Sequence, residues 1–126
     1  MESYLEEIEK IILNLEESFL LDESSVIKEI AVRDFAHLVN LLIKTLIEYE
    51  MRENFEVSDV SKCFKIAQSL KMVEFNPRWE ELIQISQIDS IYEKTPDVGE
   101  EIYYKIPEYL PLIKGTLEKI KIICKT

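Results

Sequence analysis

Two glycines and four prolines in 126 residues leave little material for tight turns. A β-sandwich, a glycine-rich phosphate loop and a disordered tail all require more. One histidine, His37, excludes a His-triad, a multi-histidine metal site and a Cys-His zinc finger by count alone. No metal and no cofactor is therefore expected. Arginine is scarce too, with only Arg33, Arg52 and Arg78. The two cysteines, Cys63 and Cys124, lie far apart and read as free thiols of a reducing cytosol. The densest apolar run, Leu38 to Ile47, is interrupted by Asn40 and Lys44 and falls far short of the ~20 residues that cross a bilayer. Glu2, Glu6, Glu7 and Glu9 stand where a signal peptide carries basic and then apolar residues. The expected location is cytoplasmic, with no membrane partner.

What the chain has in abundance is acid and apolar residues. It carries 25 acidic against 15 basic side chains, a formal charge of -10, and is 47% hydrophobic. That charge argues against nucleic acid, since phosphate contacts require clustered Lys or Arg. The length predicts a single domain spanning residues 1–126, large enough to bury roughly two-thirds of its unfolded-chain surface without metal or disulfide.

Apolar spacing at three and four residues predicts helices throughout. Tyr4, Leu5, Ile8, Ile11, Ile12, Leu15 and Phe19 mark one from about Ser3 to Leu20. Asp22-Glu23-Ser24-Ser25 supplies turn and capping chemistry for a second, about Ser25 to Glu50, with Met51 to Val57 as a loop. Ser58 is the predicted cap of a third helix carrying Val60, Cys63, Phe64, Ala67 and Leu70. Asn76-Pro77 opens a fourth, with Trp79, Leu82, Ile83, Ile85, Ile88 and Ile91. Asp97-Val98-Gly99-Glu100 reads as a capping box for a last segment, which Pro107 and Pro111 should kink or break. The fold class is all-α, an up-and-down helical bundle of about five helices.

The second helix is the most informative. Ile27, Ala31, Val32, Phe35, Ala36, Leu38, Val39, Leu42, Ile43, Leu46 and Ile47 spread over roughly 200° of its circumference, where an outer bundle helix needs only ~100°. It must be the centre of a bundle or also face a second subunit, and a homodimer is the expectation taken from this arc. Its remaining face carries Arg33, His37, Asn40 and Lys44 in one line. Such a line suits a phosphate or a partner carboxylate: Arg33 bidentate, Lys44 as a point charge, His37 and Asn40 by hydrogen bonds. It also suits the plain solvated stripe of an otherwise buried helix.

Catalytic constellations are missing. There is no Gly-x-Ser-x-Gly and no phosphate-binding loop. Cys63, at core spacing beside Phe64, reads as a packed thiol without a neighbouring base. The paired glutamates Glu6-Glu7, Glu16-Glu17, Glu80-Glu81 and Glu100-Glu101 read as solvated faces.

The stretch Glu100-Glu101-Ile102-Tyr103-Tyr104-Lys105-Ile106-Pro107-Glu108-Tyr109-Leu110-Pro111-Leu112 resembles the C-terminal EEIY…IPEYLPLL stretch of the nucleotidyltransferase substrate-binding proteins, a branch of the HEPN helical bundles. Lys44-Thr45-Leu46 resembles a recurrent KTL of the same family, and Trp79 falls where the family tends to carry a tryptophan. The resemblance runs from about Ser58 to the C-terminus. It implies a homodimeric bundle that pairs with a separately encoded minimal nucleotidyltransferase. Many HEPN members are metal-independent ribonucleases with an Arg-x4–6-His motif, in which His handles the 2′-OH proton and Arg the phosphate charge. By that resemblance the motif positions are Gln87 and Tyr92, and neither residue survives. Arg33 and His37 stand at an x3 spacing, and Arg52 and Arg78 have no histidine after them, so no frame contains the motif. The tyrosine that some toxin-type members have modified with AMP corresponds to Lys94. The expected function is a non-catalytic interaction subunit. The alternative is a HEPN-type ribonuclease or toxin using Arg33, His37 and Tyr92.

Overall fold

The computed structural model describes residues 2–21, 23–87 and 96–125. Five α-helices and no strand occur among them: α1 (Glu2–Ser18), α2 (Ser25–Arg52), α3 (Val60–Ser69), α4 (Arg78–Gln87) and α5 (Pro96–Lys125). The fold is an all-α helical bundle. Ile88, Ile91, Tyr92 and Lys94 lie outside the described residues, as does Asp22, and so does the side chain of Cys124.

Side-chain polarity at the helix ends explains most boundaries. Ser24 caps α2 by accepting from the Ile27 N–H at 3.2 Å. The third cap is Asp59 rather than Ser58: its carboxylate accepts the Lys62 N–H at 2.8 Å. Aspartate adds a negative charge at the helix's positive end, which a serine one position earlier does not offer. Asn76 takes the Arg78 N–H at 2.9 Å, and the proline at position 77 then leads into α4. The capping-box expectation at Asp97 needs correction, because α5 already includes Pro96 and Asp97 sits in its first turn. α2 runs on to Arg52, two residues past the predicted end.

α2 packs against α1, α3, α4 and α5, so most of its apolar arc is covered within one chain, with Ile27, Ala36 and Ile47 half-buried. Ala31, Val32, Phe35, Leu38, Val39, Leu41, Leu42, Ile43 and Leu46 are all buried. Of the two ways to cover the arc, the structure takes the central helix of a bundle. The arc therefore gives no separate ground for a second subunit. Ion pairs Glu9–Lys121 and Glu16–Lys114 run α5 antiparallel to α1. Lys28–Glu100 and the Phe35–Tyr109 stack run it parallel to α2.

α5 does not break at its prolines; the helix is continuous through Pro107 and Pro111. Both prolines are exposed and stand one turn apart on a single outer face, while Ile102, Tyr103, Ile106, Tyr109, Leu110 and Ile113 bury the opposite face. Each proline deprives the carbonyl four residues back of its donor. On an outer face water can take that place, and the inner face holds the helix together by burial.

Candidate functional site

Helical geometry puts Arg33, His37, Asn40 and Lys44 along the outer line of α2, and the structure shows what each meets. Arg33 is exposed and pairs with Glu29, one turn back, at 3.5 Å. His37 Nε2 lies 3.2 Å from Glu7 Oε1 on α1. Asn40 is half-buried and donates its side-chain N–H to the Ser86 carbonyl at 3.0 Å. Ser86 belongs to the last turn of α4, whose final carbonyls have no donor within the helix, so Asn40 serves as a cap supplied by another helix. Lys44 is exposed.

The line therefore runs between α1, reached by His37, and the end of α4, reached by Asn40. Gln87, the first of the two positions singled out from the resemblance, is the exposed residue next to Ser86 and is the last of α4. The structure thus brings the α2 line beside Gln87, a juxtaposition invisible at a sequence separation of more than forty residues. Tyr92, the second such position, lies outside the described residues.

The electrostatics are mixed rather than uniformly cationic. Glu29 and Glu7 stand against Arg33 and His37, and half-buried Asp34 adds a third carboxyl. Burial pushes the Asp34 carboxyl up, with Arg33 and then His37 pulling it back down. A free phosphate at Arg33 would meet these carboxylates, whereas a protein surface offering charges of both signs would match them. Among the described residues no cluster of three His, Cys, Asp or Glu is placed to hold a metal ion.

Sequence reasoning missed two members of the line. Val26 and Ile30 are 64% and 44% exposed, and they extend the row of Arg33 and His37 back toward the N-terminus of α2. Their spacing of i, i+4, i+7, i+11 was the available signal, but an apolar residue is assigned to the core by default. The result is a strip with an apolar end and a charged middle. Exposed Leu20 and Leu21 stand in the preceding connection.

None of the described helices is long and apolar enough to cross a membrane. No family model, curated protein or solved structure matches the chain.

Proposed function

We propose that this chain is a non-catalytic interaction subunit that pairs with a separately encoded minimal nucleotidyltransferase and presents a substrate to it. The observation carrying this reading is the Asn40–Ser86 hydrogen bond, which seats the α2 strip beside Gln87. In the family that α5 resembles, this is where the catalytic arginine belongs. A neutral glutamine there supplies no fixed charge for a phosphate. What borders it instead is an exposed surface of mixed charge with an apolar end, the composition of a protein-docking rim and not of a cleavage site. Homodimerisation belongs to the same reading through the resemblance, and a cytoplasmic setting through the two free thiols and the acidic N-terminal segment expected from the sequence. For the dimer, exposed Leu20, Leu21, Val26 and Ile30 add apolar surface.

A minimal nucleotidyltransferase encoded beside this chain would favour the reading, and titration calorimetry with it is the test. Binding is expected, and Arg33→Ala combined with Lys44→Ala should weaken it roughly tenfold, since both removed charges lie at a rim. Undiminished binding by the folded double variant overturns the site. Cleavage of single-stranded RNA by repurified protein, lost in His37→Ala, overturns the non-catalytic reading and favours the ribonuclease alternative. Light scattering near 14.9 kDa at micromolar concentration overturns the dimer alone.

A further inference from the structure

α5 is exposed along one unbroken line: Tyr104, Pro107, Pro111, Gly115, Glu118 and Ile122 recur at three- and four-residue steps. Tyr104 and Ile122, near its two ends, are large side chains left 52% and 65% exposed. Between them Pro107, Pro111 and Gly115 carry no long side chain, so the helix backbone itself lies open to a neighbour. A Cβ at Gly115 would meet nothing within 4 Å, so the space there is left unfilled by the chain's own packing. Pro111 has no N–H, which leaves the Pro107 carbonyl without its helical donor on this same face.

Charge along the face is ordered. Exposed Glu101 and Glu108 stand before Pro111, and exposed Lys114 and half-buried Lys119 stand after it. Glu118 is the exception, and it holds Lys121 at 3.9 Å. Two helices related by a two-fold axis across them run antiparallel, so residues equally far before and after the axis meet on opposite copies. With the axis at Pro111, Glu108 comes level with Lys114 of the second copy, and Pro107 with its Gly115. Glu101 falls within one turn of the second copy's Lys119. Acid thus meets base on both sides of the axis, and each Lys114 also reaches an unfilled Pro107 carbonyl. The present partners of these groups, Glu16 with Lys114 at 3.1 Å and Lys105 with Glu101 at 3.5 Å, are exposed pairs that exchange at little cost. The outer line of α2 lacks this order: its titratable members Arg33, His37 and Lys44 are all basic, so self-pairing would oppose like charges.

We propose that the outer face of α5 is a self-recognition surface, on which a second copy of this chain packs its own α5 antiparallel about Pro111. Each Pro107 ring then sits against Gly115 of the other copy, which lets the helix axes approach to about 8–10 Å. The α1–α2 connection widens the contact. Phe19 packs on Tyr103 at 5.1 Å and Tyr104 donates to Glu23 at 2.8 Å, so exposed Leu20 and Leu21 flank the Tyr104 end of the line. The two-fold brings Ile122 of the second copy to that end, apolar against apolar. The proposal rests on the homodimer of the preceding reading, locates its interface, and leaves the α2 strip free for a different protein.

Gly115→Gln is the central test, because the added side chain projects into open space in one chain and into the opposing helix in the dimer. In sedimentation at micromolar concentration the parent chain should be dimeric. Gly115→Gln should keep its helix content by circular dichroism and raise the dimer dissociation constant roughly tenfold or more. Glu108→Lys should weaken association by a similar factor, and adding Lys114→Glu should restore it, since the swap returns opposite charges to each contact. A monomeric parent, association unchanged in either single variant, or a loss that Lys114→Glu fails to repair each overturns the interface. Should Gly115→Gln fail to fold, the swap of the exposed pair Glu108 and Lys114 decides alone. Calorimetry with the nucleotidyltransferase is a separate outcome: its failure leaves this interface standing, and a monomer leaves that binding standing.

Discussion

Asn40 and Arg33 are one helical face apart from the core and look interchangeable as wet residues, yet their neighbours give them different energies. Asn40 is half-buried and satisfies a carbonyl at the end of α4 that nothing else on α4 can reach. Asn40→Ala should cost about 1–2 kcal/mol, the usual penalty for orphaning a partly buried acceptor. Arg33 is 69% exposed and holds Glu29 at 3.5 Å across a single turn. Arg33→Ala should change stability by less than about 0.5 kcal/mol, because solvent screens such a pair. Urea unfolding of the two variants checks the contrast, and equal losses would contradict it. Thr45 is a third case: fully buried, it spends its hydroxyl on the Leu41 carbonyl at 2.8 Å and so costs the core little.

Elements show the same competition between local rule and packing. α5 contains two interior prolines, each unfavourable in a helix by about 3 kcal/mol relative to alanine. Burial of the inner face overcomes them, aided by Tyr109 stacked on Phe35 and by the Arg78 guanidinium donating to the Glu108 carbonyl at 3.3 Å. Both prolines are exposed, so Pro107→Ala and Pro111→Ala leave the core untouched and restore a helical N–H. Each should stabilise the bundle by about 1–2 kcal/mol, the helix gain less the unfolded-state entropy that proline had removed. A lower urea midpoint in either variant would refute this.

At the scale of the molecule, charge is the dominant global feature. With a formal charge of -10 the bundle repels itself, and its ion pairs, such as Lys114–Glu16 and Lys105–Glu101, are largely exposed. Screening should therefore relieve more repulsion than it removes attraction. Raising sodium chloride from low to about 0.5 M should lift Tm by about 2–5 °C, readable by circular dichroism. A fall in Tm would mean that Lys28–Glu100, between α2 and α5, and Lys119–Glu74, between α5 and the α3–α4 connection, outweigh the net charge.

Spacing alone determined the all-α class, the order of the helices and the burial of Phe35, Leu38, Leu42 and Leu46, because helix periodicity is a local property written into every turn. Capping chemistry was equally legible at Ser24 and Asn76, where the donor lies within three residues of the acceptor. Tertiary packing decided what periodicity cannot encode. It covered most of the wide arc of α2 from within one chain, carried α5 through two prolines, and placed Asn40 against Ser86. It also buried Glu50, an acid that continues the apolar row of Ile43 and Leu46 by spacing while its charge argues for solvent. In each case the outcome turned on the summed burial of many residues distant in sequence, which outweighs the preference of any single one.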